Sequence, residues 1–321
     1  MSEKKCLYIF LHVPRTAGTT FVRHIEKNFN KEERLRLYPD TLDFKKMALK
    51  ADYGDFWKVV KKYLEKNEKD LEKIKIIYGH HVPYGMHEFF GEREVRYITF
   101  LREPLSRVIS LYNYWREQYE GESKSGRKKK IYRYSFLVNG KVPDFYLWYK
   151  VKIKEDNYGT HAMSMERFLK KLGYLEGRSK KKFKDIFYFL GNTSDYDEYA
   201  LYLYKELKIN KFFVNQNASK KYIDLNLNEK FVSKFKKDYA FDYEMLKWAG
   251  EGEREFKKIH RDFGRVVLEM KRKRKLLLVF TQIIYEPVFT LRLISKKIKE
   301  RSRMYAYLLN LVKLKLQLDR R

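Results

Sequence analysis

The chain has 321 residues, 71 Lys and Arg against 42 Asp and Glu, a net charge of +29 and 44% apolar residues. That apolar share, with 17% aromatics, excludes a generically disordered chain and suffices for one large or two small domains with a real core. The charge points toward anionic partners and is silent on the fold, while the single cysteine, Cys6, excludes an intrachain disulfide and suits a reducing compartment.

The first expected element is a buried strand at Leu7–Leu11. The stretch Cys6–Pro14 is too short, and too soon followed by Arg15, for a signal peptide or anchor. The cytoplasmic side is therefore the expected setting, and a lumenal, membrane-anchored arrangement is disfavoured. The strand discharges into P-R-T-A-G-T-T-F, Pro14 to Phe21. A helix beginning near Thr19 offers its first amides and the positive end of its dipole to an anion. Gly18 permits close backbone approach, Thr16, Thr19 and Thr20 supply hydroxyls, Arg15 supplies a cation, and Pro14 stiffens the exit. The nucleotide P-loop needs G-x-x-x-x-G-K-[ST]. Here there is one glycine, no lysine after it, and no clear acidic motif to hold magnesium, which disfavours a nucleoside-triphosphate kinase. Threonine-rich turns are also plain helix caps, so this turn alone leaves both readings open.

Residues 28–73 read as a charged, helix-rich insertion. A second strand, Ile74–Tyr78, runs into G-H-H-V-P-Y-G, which puts His80 and His81 at a strand end. A third strand, Val95–Leu101, opens into R-E-P-L-S-R-V-I-S, Arg102 to Ser110, and a helix favoured by Glu103-Pro104 at its start. The fork of Arg102 and the hydroxyl of Ser110 can together grip a phosphate; an ion pair of Arg102 with Glu103 or Glu88 is the structural alternative. Ser123–Lys130 reads as a solvated basic loop, Asp144–Leu172 as an aromatic helical cover over the site, and Gly177–Lys184 as a basic link to a fourth strand, Ile186–Leu190. Strands alternating with helices imply a mostly parallel sheet covered on both faces, an α/β fold, with its ligand edge beyond the carboxyl ends of the strands. That rule selects Pro14–Gly18, Gly79–Gly85 and Arg102–Pro104.

From Gly252 on, 20 Lys and Arg face 7 Asp and Glu, so this stretch carries +13 of the +29. We expect a domain over 1–251 and a basic, helical extension over 252–321. The apolar run Leu276–Leu291 is interrupted by Glu286-Pro287 and falls short of the roughly 20 residues that span a bilayer. Beyond it, leucines from Leu308 to Leu318 mix with Lys313 and Lys315. A basic helix with an apolar face fits membrane-surface contact, packing on the domain, or pairing with a second copy.

The turn at Pro14–Phe21 and the Arg102–Ser110 stretch, at this spacing, resemble the motifs of sulfotransferases that use 3′-phosphoadenosine-5′-phosphosulfate (PAPS), in particular the carbohydrate branch that includes heparan-sulfate 2-O-sulfotransferase. The match is clear over about residues 7–115 and weaker through Phe187–Asn217. The resemblance implies a P-loop-like three-layer α/β/α fold with helical insertions and a helical C-terminal extension. It implies that Arg15, Thr16, Ala17, Gly18, Thr19, Thr20 and Phe21 hold the 5′-phosphosulfate, that Arg102 and Ser110 hold the 3′-phosphate, and that 3′-phosphoadenosine-5′-phosphate (PAP) is the product. It also implies a histidine base. Aligned through V-P-Y-G this is His81, the preferred choice; aligned on the preceding glycine it is His80. Arg15 stands where the best-known members carry lysine, and it can neutralise a leaving phosphate but not readily lose its proton.

The expected reaction is an in-line displacement in which the base takes the acceptor's proton while Arg15 and the helix end at Thr19 stabilise the developing charge. The expected acceptor is a hydroxyl of a glycan or glycolipid precursor, in keeping with the positive charge an anionic one. No metal is expected, because His80 and His87 have no cysteine or acid cluster beside them. Two other readings stay open: another nucleotide-dependent transferase or kinase, and a basic nucleic-acid or membrane-binding protein, although no recognised RNA module is present.

Overall fold

The computed structural model describes residues 6–38, 53–66, 68–125, 136–154, 164–177, 179–212 and 227–280. Its centre is β1 (Cys6–Leu11), whose run of apolar and aromatic residues suits a strand covered on both sides. It is joined by β2 (Arg34–Leu37), β3 (Ile76–Gly79), β4 (Glu94–Leu101) and β5 (Phe187–Asn192) in the order β2-β3-β1-β4-β5. Every pairing is parallel, so the carboxyl ends share one edge: Leu11 pairs with Gly79 and Thr99, Leu37 with Gly79, and Leu101 with Asn192.

Four of these strands lie within two residues of their expected bounds. The fifth is a correction. Residues 28–73, read as helix-rich, contain the edge strand β2 as well as a helix. Its R-L-R-L sequence buries Leu35 and Leu37 and leaves the two arginines half-exposed, the period-2 alternation of a strand. Gly79 is required where β3 meets it, because a Cβ there would lie 2.0 Å from the Leu37 carbonyl oxygen.

Ten α-helices accompany the sheet among the described residues: α1 (Gly18–Asn28), α2 (Tyr53–Lys66), α3 (Pro104–Ser125), α4 (Phe145–Trp148, continued by a π-helical turn at Tyr149–Lys154), α5 (Met165–Lys171), α6 (Lys180–Ile186), α7 (Tyr196–Glu206), α8 (Glu229–Asp238), α9 (Ala240–Ile259) and α10 (Phe263–Phe280). Helix α3 runs on to Ser125, into the start of the expected loop at Ser123–Lys130, whose remainder lies outside the described residues. The basic link at Gly177–Lys184 is also largely helical. Ser179 caps α6 by accepting the Lys182 amide, and Phe183 anchors the helix against Phe187 and Trp248.

Leu7, Ile9 and Leu11 of β1 join one apolar cluster with Val60 and Leu64 of α2, Phe168 and Leu169 of α5, and Met245 and Trp248 of α9. Phe10, which points the other way, packs on Phe21 of α1, and Phe21 on Tyr204 of α7. The aromatic residues of the expected cover form a second cluster, in which Phe145, Trp148 and Tyr149 pack on Val108 and Tyr112 of α3 and Phe235 of α8.

The chain divides into two compact units, Met1–Asn210 with Asn215–Val267, and Lys211–Val214 with Leu268–Arg321. The residues of the candidate site belong to the first. The apolar and basic segments expected beyond Phe280 lie outside the described residues, among which no helix is long and apolar enough to cross a membrane.

Candidate functional site

The chain leaves β1 at the carboxyl edge through a turn with two left-handed residues, Arg15 at φ 67° and Ala17 at φ 61°. Alternating the backbone in this way turns successive amides toward one side, an arrangement suited to an anion. Helix α1 then begins at Gly18, one residue before the expected start, with no side-chain cap on its first amides. The threonines divide. Thr16 is buried and its hydroxyl donates to the Val13 carbonyl at 2.8 Å, bracing the turn from within. Ala17 and Thr19 are exposed, Thr20 is half-buried, and Phe21 is a core aromatic.

Gly18 has a reason that spacing did not reveal. A Cβ at this position would meet the imidazole of His12, with Cδ2 at 2.1 Å. Its small size seats the helix on that ring.

The second motif arrives from β4. The guanidinium of Arg15 donates to the Ser110 hydroxyl through Nη2 at 2.9 Å and Nε at 3.3 Å, a contact across 95 residues. The same guanidinium lies over the Tyr114 ring, 4.7 Å from its centroid. Arg102 donates to the Arg15 carbonyl at 3.3 Å. Sequence spacing had put Arg15 and Arg102 on separate loops of one edge, with Ser110 eight residues beyond Arg102, and the fold brings Arg15 into contact with both.

Beneath them lies a residue absent from the expected set. Arg107 is 1% exposed and donates through Nε to the Pro14 carbonyl at 3.1 Å, so a buried cation fixes the base of the turn. Asp242 of α9, also buried, favours the Arg107 charge in part, and accepts the Met165 and Glu166 amides at the start of α5, both at 2.8 Å. The signal for Arg107 was its place three residues before Ser110, on the same face of α3. Glu103 caps that helix, accepting the amides of Leu105 and Ser106 and the Tyr243 hydroxyl.

Burial disfavours charge on all three arginines. It pushes Arg15 down to about 10, against the pull of Tyr114 and with a further push from Arg102 and Arg107. Arg102 is lowered by burial and partly restored by Glu103, and Arg107 by burial and partly restored by Asp242.

The histidines occupy the next loop along the edge. His81 is 2% exposed, and its amide donates to the Leu37 carbonyl at 3.1 Å. His80 is half-buried, and its Nδ1 lies 2.5 Å from the His12 carbonyl oxygen. A carbonyl only accepts, so Nδ1 carries the proton and Nε2 is the basic nitrogen of the neutral ring. The rings of His80 and His12 are 4.3 Å apart, and His12 Nδ1 is hydrogen-bonded to the Tyr38 hydroxyl at 2.7 Å. His12 and Tyr38 are thus further members of this edge that the sequence reading passed over. Among the described residues no group of three or more His, Cys, Asp or Glu is arranged to hold a metal ion. A scan against protein-family models finds no match to this chain, and a search of curated proteins finds none.

Proposed function

We propose that the chain is a PAPS-dependent carbohydrate O-sulfotransferase on a P-loop-like three-layer α/β/α fold. One observation carries the reading: Arg15, Arg102 and Arg107 gather about a single turn, each desolvated, with Ser110 in the fork of the first. Cations so close repel one another and have given up hydration, and a polyanion docked on the turn restores what was lost. A bisphosphorylated nucleotide matches this array better than a single phosphate does, since the helix end at Gly18–Thr20 and the Arg102–Ser110 pair offer two adjacent anion positions.

In the proposed reaction an acceptor hydroxyl attacks the sulfur in line. An O–S bond forms to the acceptor, the O–S bond to the 5′-phosphate breaks, and PAP departs with the electron pair. The acceptor's proton passes to a histidine. Arg15 and the first amides of α1 neutralise the phosphate oxygen as its charge grows. Two features favour His80 as the base: its partial exposure, and the hydrogen bond that leaves Nε2 basic. His81, the choice from the V-P-Y-G alignment, is buried.

Calorimetric titration with PAP and with ATP–magnesium tests the donor, and transfer from sulfur-labelled PAPS to a panel of glycans tests the reaction. Tight PAP binding without ATP binding is expected; the reverse preference returns the protein to the kinases. Arg102→Ala should weaken PAP binding by roughly 10–100-fold through loss of charge-assisted hydrogen bonds. His80→Ala should keep PAP affinity and lower turnover by about 10²–10⁴-fold. Loss confined to His81→Ala would reassign the base.

A further inference from the structure

His12 stands at the junction of the two halves of the site. Its backbone amide donates to the Gly79 carbonyl at 3.0 Å, extending the parallel ladder one residue beyond β1. Its own carbonyl accepts His80 Nδ1–H. Its ring lies against that of His80 on one side and beneath Gly18 on another, and it is tied by Nδ1 to the Tyr38 hydroxyl. Tyr38 is itself held in place, with the Arg36 guanidinium 4.4 Å over its ring and its edge toward His80, ring centroids 4.7 Å apart.

We infer that His12 and Tyr38 are positioning residues for the His80 base, and that the His12 ring also sets the distance between that base and the anion-binding turn. The inference rests on the sulfotransferase reading for its reaction, but not for its geometry. The carbonyl of His12 selects the His80 tautomer while residue 12 stays in place; its amide is held by the Gly79 carbonyl, and Gly18 above the ring and the Tyr38 hydroxyl at its edge fix the rest of the residue. Loosening either lets the His80 ring rotate, which mixes its tautomers and moves Nε2 from the acceptor. Loss of the Tyr38 hydroxyl alone leaves binding of the donor at Arg15 and Arg102 largely intact. Partners that orient a metal-bound imidazole through its second nitrogen commonly contribute about 10–100-fold, and the same scale is expected for a catalytic one.

The test uses the full chain labelled with ¹⁵N-histidine, with His80→Gln identifying the His80 resonances. The variants are Tyr38→Phe, which removes one hydroxyl and keeps the ring, His12→Ala, and His12→Asn, whose amide can stand in for Nδ1. We expect a single Nδ1–H tautomer of His80 in the parent protein and a mixture in Tyr38→Phe and His12→Ala. In the same two variants kcat should fall by roughly 10–100-fold, and in Tyr38→Phe KM for PAPS should change little. His12→Asn should recover part of both. An unmixed tautomer or an undiminished kcat in Tyr38→Phe overturns the inference, whatever His12→Ala does to folding. If the parent protein neither binds PAP nor transfers sulfuryl, it is the functional reading that fails, and the tautomer comparison still decides whether His12 and Tyr38 govern His80.

Discussion

Gly18 meets a packing demand that spacing alone does not reveal. A glycine after a strand, before a helix, invites an account in terms of ligand approach, yet its Cβ would sit 2.1 Å from the His12 ring. Gly18→Ala should therefore destabilise the protein by about 1–3 kcal/mol as the ring is forced aside. Adding His12→Ala should restore thermal stability by opening the space, without restoring turnover. Additive losses in the double variant, read by calorimetry, would separate the two side chains and sink this account. Arg15, Arg102 and Ser110 were legible because their places follow from chain order: Arg15 and Arg102 lie in the loops that follow β1 and β4, and Ser110 lies in the second turn of the helix after β4. His12, Tyr38 and Arg107 were not. Their partners lie 26, 68 and 93 residues away, and only the strand order brings them together. The choice between His80 and His81 was illegible for a related reason. Where β3 stops decides which of two successive side chains enters the core.

At the level of elements, apolar runs flanked by turns marked four strands well. β2 escaped because four residues alternating arginine and leucine are as compatible with a charged helix as with an edge strand, and only pairing with β3 distinguishes them. The end of β5 carries a consequence for stability. Glu253 of α9 reaches it, accepting the Asn192 amide at 2.8 Å and the Asn192 side-chain amide at 2.6 Å. Burial pushes its carboxyl up to about 7, the bond from the Asn192 amide acting against the shift and Asp195 with it. An unfolded glutamate titrates near 4.3, so the folded protein holds an extra proton between these limits. The contribution to stability is complete below about 4.3 and is lost as pH rises through about 7, on the order of 2–3 kcal/mol. Denaturant unfolding from pH 5 to 8 should show this decline, and Glu253→Gln should flatten it. A parent profile already flat over that range would remove Glu253 as its source.

Across the whole molecule, the +29 charge is unevenly distributed along the chain. Arg15, Arg102 and Arg107 are concentrated at one edge, whereas +13 belongs to the residues from Gly252 onward. A donor-binding site with a separate surface-binding extension, as proposed, would distribute its charge along the chain in this way. Helix α10 buries Phe263, Val266, Val267 and Met270 in its first half and continues into the exposed basic run Lys271, Arg272 and Lys273. If the residues beyond Lys275 hold the protein at an anionic membrane, the full chain should sediment with phosphatidylserine vesicles, and a chain ending at Lys275 should not. Binding should also weaken in 0.5 M salt, because the Debye length shortens well below its roughly 8 Å at physiological ionic strength. PAP affinity of the shortened chain should match that of the full chain, since every residue proposed to hold the nucleotide lies before it. Equal sedimentation of the two chains would assign the extension to packing or self-association instead, and analytical ultracentrifugation of the pair would then tell those apart by mass.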